Sequence, residues 1–236
     1  KFYFADKDQS VKNHRRKSVD KMLKQLEWQQ YCGDESRIEK AMAKVKNNRV
    51  LTLLGIGGLG KTALATEIVR RYLKTNDYDY FPFITSKSSE QGHYTFSKRI
   101  ERSNPEDRKI HPGTVNTNDF QVLINTLLEI DDTRSQTEKN RLTDKQKKDI
   151  VFGLFKNKKI LCVIDNYEDI ERDNVQREKY AELIEFLMEN ETQSRIIITA
   201  RESELGVKEM VDYLNNKEIK NLLQERIKWY GESAQE

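Results

Sequence analysis

The stretch Val50-Leu51-Thr52-Leu53-Leu54-Gly55-Ile56-Gly57-Gly58-Leu59-Gly60-Lys61-Thr62 decides the fold. Its first five residues form an apolar run of strand length, and the next eight hold four glycines and end in Lys-Thr. Beyond them Leu64, Ile68 and Tyr72 recur at helical spacing, with Ala65 and Val69 beside them. Strand, glycine loop, Lys-Thr and helix in that order make a phosphate-binding P-loop. The expected ligand is a nucleoside triphosphate with magnesium.

The residue types follow from the ligand's charge. A triphosphate packs several negative charges into a small volume, and backbone N–H groups meet them only if the chain comes very close. Glycine permits that approach and the positive φ angles that go with it. Gly55, Gly57, Gly58 and Gly60 fill this role. The helix opening near Lys61 aims unpaired N–H groups and the positive end of its dipole at the same anion. Lys61 is expected on the β- and γ-phosphates, and the Thr62 hydroxyl on Mg²⁺.

The 236 residues suffice for one α/β domain with flanking pieces. Charged residues make up 34% and the net charge is +3, a mildly basic surface that does not argue for nucleic acid by itself. Lys12, Arg15, Arg16, Lys17, Lys21 and Lys24 form a basic N-terminal cluster, read as a solvated helix face, with a polyanion contact as the alternative. Cys32 and Cys162 lie far apart and show no zinc spacing or disulfide framework, which fits a reducing cytoplasm. No apolar run approaches membrane-spanning length, and no signal peptide is visible.

Working outward, residues 1–30 read as a helical lead-in, with Val19, Met22, Leu23 and Leu26 at helical spacing. Asp34 is the expected N-cap of a helix with Ile38, Met42 and Val45 on one stripe. Residues 80–84 read as a second strand, placed on an edge or bulged because Pro82 cannot donate to a ladder. Residues 86–118 read as a long insertion with one helix near 94–102. Phe120, Leu123, Ile124, Leu127 and Leu128 mark a further helix, and Ile150, Val151, Leu154 and Phe155 the end of another. Ile160 to Ile164 is a continuous apolar run, typical of a strand covered on both faces. A helix with Tyr180, Leu183, Ile184 and Leu187 facing inward follows, then a strand at 196–199 and a last helix carrying Ile219, Leu222, Leu223, Ile227 and Tyr230. Alternating strands and helices predict an α/β fold with a doubly wound parallel sheet.

The run 160–164 ends in Asp165, followed by Asn166-Tyr167-Glu168-Asp169. A carboxylate at the tip of an apolar strand near the P-loop suits the magnesium, which assigns that metal to Thr62 and Asp165. Glu168 is the candidate to orient an attacking water, since that work needs a carboxylate near the γ-phosphate but off the metal. Asn166 can only position by hydrogen bonds. The strand 196–199 ends in Thr199-Ala200-Arg201, a polar residue and an arginine placed to touch the γ-phosphate. Such an arginine tells triphosphate from diphosphate. Lys61, Asp165, Glu168 and Arg201 are thus the candidate catalytic set. Arg195 precedes the strand and is expected at the opposite end of the sheet.

Together, "YCGDESRIEKAM", "LLGIGGLGKTALA", "ILCVIDNYEDI" and "SRIIITARES" resemble the nucleotide-binding domain of STAND signalling ATPases, of the NB-ARC or AP-ATPase type and its bacterial members in particular. The resemblance spans roughly residues 31–225. It leaves 1–30 as a lead-in and 226–236 as the start of a link to a downstream helical or winged-helix domain. It implies nucleotide contacts from Gly55, Gly57, Gly58, Leu59, Gly60, Lys61, Thr62 and Ala63, with Cys32 from the segment ahead of the first strand. The family often has Gly-Arg-Glu where this chain has Gly33-Asp34-Glu35, so Arg37 is the nearest substitute to enclose the base. Asn166 replaces the second acidic residue of plant members.

The resemblance implies an ATP/ADP switch with slow Mg²⁺-dependent hydrolysis, homo-oligomeric in the ATP state of a longer protein, with an unknown trigger and effector and a role such as bacterial-type immune defence. Two other readings stand beside it. One is an AAA-like remodelling or motor ATPase, for which Arg102 or Arg108 would supply the finger. The other is a nucleic-acid-binding regulator acting through the basic N-terminal region. The lack of an Asn-Lys-x-Asp motif leans toward adenine over guanine.

Overall fold

The computed structural model describes residues 31–75, 77–85, 114–116, 119–131 and 133–233. The expected lead-in helix of 1–30 with its basic cluster, the helix near 94–102, and Arg102 and Arg108 lie outside these residues.

The P-loop strand β1 (Val50–Leu54) is preceded by α1 (Glu35–Asn47) and followed by α2 (Lys61–Leu73). Then come β2 (Phe83–Thr85), β3 (Thr114–Asn116), α3 (Phe120–Leu128), α4 (Gln136–Asn140) and α5 (Asp144–Asn157). The second half holds β4 (Leu161–Asp165), α6 (Glu168–Glu171), α7 (Asn174–Glu189), β5 (Arg195–Ala200), β6 (Val207–Met210) and α8 (Asn216–Ser233). Among the described residues six strands form one sheet in the order β3-β2-β4-β5-β1-β6, every pairing parallel. This is an α/β P-loop NTPase fold, a parallel sheet flanked by helices.

The twofold period of the strands divides the core. Val50, Leu54, Ile84, Cys162, Ile164, Ile196 and Ile198 face one way, against Leu123, Leu127, Phe155, Tyr180 and Leu183 of α3, α5 and α7. Leu51, Leu53, Phe83, Leu161, Val163 and Ile197 face the other way, against Ile38, Val45, Leu64, Ile68 and Tyr72 of α1 and α2. Strands covered on both sides favour apolar residues on both faces, which is why β1, β4 and β5 read as near-continuous apolar runs, interrupted by Thr52 and by the polar residues at the strand ends. The helix ends follow local chemistry. Asp34 caps α1 by accepting from Ser36 N–H, Asp173 caps α7 through Val175 and Gln176 N–H, and Thr143 forms a capping box with Gln146 on α5.

Two expectations change. β2 lies inside the described sheet between β3 and β4 rather than on an edge. Pro82 sits just before the strand, where its carbonyl accepts from Val163 N–H and its missing donor costs the ladder nothing. Residues 114–116, read as part of an insertion, join the sheet as β3.

Candidate nucleotide-binding site

All the sheet's C-terminal strand ends lie on one side, as parallel strands require, and the chemistry-bearing residues collect there. β1 and β4 are not neighbours. β5 lies between them, pairing Leu53 with Thr199 on one side and Cys162 with Ile196 on the other. The P-loop and Asp165 therefore face each other across the tip of β5.

The loop's backbone is built for close approach. Gly55 stands at φ +152°, and a Cβ there would meet the Val211 carbonyl oxygen at 2.7 Å. Gly58 and Gly60 stand at φ +85° and +87°, and a Cβ on either would meet nothing within 4 Å, so the loop borders open space. Gly60 is the N-cap of α2 and has no side chain to satisfy its first N–H groups. Lys61 folds back over the loop, its Nζ donating to the carbonyls of Gly55 at 2.6 Å and Ile56 at 3.0 Å. Leu59 packs against the α1/α2 side of the core, and Ala63 lies in the first turn of α2. Cys32 is half-buried ahead of α1.

Asp165, 4% exposed, is the centre of the polar cluster. Its Oδ1 accepts from Thr62 Oγ1 at 2.7 Å and from Thr199 Oγ1 at 2.7 Å, and its Oδ2 from Thr85 Oγ1 at 3.2 Å. Asn166 then takes a left-handed conformation at φ +64° and donates its amide Nδ2 to Asp169 Oδ2. That turn brings Glu168 to the start of α6. Glu168 Oε1 accepts from Arg201 Nε at 3.1 Å, whereas Oε2 is buried with no hydrogen-bond partner among the described residues. Arg201 is 60% exposed and reaches from Glu168 toward the loop, its guanidinium 3.7 Å from where a Cβ on Gly57 would stand.

The structure thus brings Lys61, Thr62, Asp165, Glu168 and Arg201 to one place. Arg195 lies at the far end of β5, donating to the carbonyls of Val45, Thr192 and Ser194. Arg37 lies ahead of the first strand, in α1. It donates to the carbonyls of Asp212 and Tyr213 and lies 3.8 Å from Glu218. Thr85 was not singled out from the sequence. The signal was a hydroxyl at the tip of a strand beside the strand that ends in Asp165, but it needs the strand order to be read.

The donor set fits magnesium. One carboxylate and one hydroxyl, 2.7 Å apart beside the loop, are the hard oxygen ligands of an ion that also binds through substrate phosphates. Among the described residues no group of three or more His, Cys, Asp or Glu side chains is placed to hold a metal ion.

A sheet of this order with a glycine cradle at the tip of β1 defines a P-loop NTPase. Residues 33–111 match the family model of the NB-ARC domain, which bears out the likeness to the nucleotide-binding domain of STAND NTPases. No curated protein matches it. Among solved structures, a chain of the HORMA–CdnC–Trip13 complex of E. coli MS115-1 is 13% identical at a TM-score of 0.38, over 93% of this chain and 70% of that one. A likeness of that degree carries no argument. Among the described residues no helix is long and apolar enough to cross a membrane.

Proposed function

We propose that this chain is the ATP/ADP switch of a STAND-type signalling ATPase, in which ATP favours an open, homo-oligomeric form of the full-length protein and slow hydrolysis resets it. Bacterial-type immune defence is the setting that the sequence resemblance favours. The observation that supports the reading best is the Arg201–Glu168 pair standing against Gly57 of the loop. An exposed guanidinium between the candidate base and the phosphate cradle can leave its carboxylate for a third phosphate and has no such partner in a diphosphate.

The chain's own residues then act in sequence. The amides of 57–62 hold the phosphate tail, and the Lys61 ammonium exchanges the Gly55 and Ile56 carbonyls for phosphate oxygens. Arg201 moves to the γ-phosphate and releases Glu168, whose unpartnered oxygen accepts a proton from water. Thr62 and Asp165 hold the metal, and bound Mg²⁺ supplies charge neutralisation on the phosphates. Moving a closed module to a mostly open one takes about 5.5 kcal/mol of differential affinity, a demand that three cationic contacts to one phosphate can meet.

The test is calorimetric titration of ATP and ADP into wild type and Lys61→Ala, with identification of any nucleotide that co-purifies. The variant is expected to lose measurable binding. Unchanged ATP affinity in Lys61→Ala would refute the reading.

A further inference from the structure

We infer that Thr199 is a positioning residue for the magnesium carboxylate and not a phosphate contact, with Thr85 as its counterpart on the other oxygen. The inference rests on the nucleotide–magnesium reading above and departs from the sequence expectation that Thr199 touches the γ-phosphate.

The argument is one of hydrogen-bond capacity. A threonine hydroxyl has one proton to give and two lone pairs to receive. The Thr199 proton goes to Asp165 Oδ1 at 2.7 Å, and its oxygen accepts from Asn166 N–H at 2.9 Å. The side chain is 1% exposed, so no proton remains to offer a phosphate and no path leads to one. The Thr199 carbonyl in turn accepts from Tyr167 N–H at 2.8 Å. One residue at the tip of β5 therefore aims the carboxylate and pins the left-handed turn at Asn166 that leads to Glu168.

The strand order explains why the role falls here. With β5 between β1 and β4, Thr199 is the residue that lies between the P-loop strand and Asp165. Thr85, the last residue of β2, closes the carboxylate from the opposite side through Oδ2 at 3.2 Å. Held at both oxygens, Asp165 cannot rotate, and it meets the metal beside Thr62 in one orientation. Groups that orient a metal ligand in this way typically carry about 10–100-fold in metal affinity.

The experiment is the ADP dissociation constant, by calorimetry, in excess Mg²⁺ and in EDTA, for wild type, Thr199→Val, Thr199→Ser and Thr85→Val. The ratio of the two constants isolates the metal's contribution. Thr199→Val is expected to reduce that ratio by about tenfold or more while leaving the EDTA constant unchanged. Thr199→Ser, which restores the hydroxyl, keeps the wild-type ratio, and Thr85→Val falls between. A Thr199→Val protein with the wild-type ratio overturns the inference. If that variant does not fold by thermal melt, Thr85→Val at the partly exposed end of β2 decides instead, and an unchanged ratio there overturns it equally. A wild type with no Mg²⁺ enhancement removes the magnesium reading itself, a different failure from unaltered variants.

Discussion

Asn166 shows how much one residue settles at this site. It is the non-glycine residue with a positive φ among the described residues, and asparagine is among the few side chains that tolerate the left-handed region. Its amide donates to the Asp169 carboxylate, a bond that an acidic residue cannot make. Asn166→Asp sets two carboxylates against each other, and we expect a loss of about 1–2 kcal/mol in urea unfolding at neutral pH, shrinking as the pair protonates. Glu168→Gln keeps the size of a mostly buried side chain. Calorimetry should find nucleotide affinity retained, and single-turnover assays should find hydrolysis slowed by about 10²–10⁴-fold. An unaltered rate would move the base elsewhere. That Lys61, Asp165 and Arg201 gather at one end of the sheet was legible because each ends or follows a recognisable strand. Thr85 and the true partners of Thr199 were not, because they follow from which strand lies between which.

At the scale of the element, β6 is the instructive case. Its sequence Val207-Lys208-Glu209-Met210 has no apolar alternation, and the buried member is the glutamate. Hydrophobic patterning therefore cannot find it, whereas β1, β4 and β5 announce themselves by apolar runs. Glu209 is gripped by Lys40 Nζ at 2.8 Å and Lys44 Nζ at 2.5 Å, which ties the strand to α1, and Lys44 also donates to the Lys208 carbonyl. An inward-pointing charge at the end of a sheet discourages pairing with another chain. Burial pushes the Glu209 carboxyl up, but the hydrogen bonds from the two ammonium groups outweigh it and hold it below the ordinary glutamate value. A carboxyl lowered in the folded state stabilises fully above its unfolded pKa, and that contribution fades as pH falls through the folded value. Thermal melts should lose stability from roughly pH 5 downward, and Glu209→Gln should flatten that part of the profile while lowering stability at pH 7. A profile of identical slope in the variant would remove this pair from the acid response.

Across the whole molecule the two ends of the described chain are fastened together. Glu218 of α8 is buried and accepts from Asp34 N–H and from Asn215 N–H, both at 2.6 Å, with Arg37 alongside. Val211 N–H donates to the Leu54 carbonyl, so a hydrogen-bonded route leads from the mouth of the P-loop to the start of α8. Glu218→Ala leaves those amides unpaired at a cost of about 1–3 kcal/mol. Hydrogen exchange should speed up in both 31–37 and 212–222, and acceleration in only one of them would break the proposed link. The layered α/β plan was readable from alternating strand and helix patterns, but the clasp was not, since it joins positions 184 apart through backbone donors that carry no side-chain signature. The position of β1 has a further consequence during synthesis. Val50 pairs with Ile196 and Leu51 with Val207, so the strand bearing the phosphate cradle has no neighbour until the ribosome has made nearly the rest of the domain. At typical elongation rates that is a wait on the order of ten seconds for a largely apolar segment. A nascent chain of this kind is a natural client for chaperones, and one cut short before β5 would emerge with this strand uncovered.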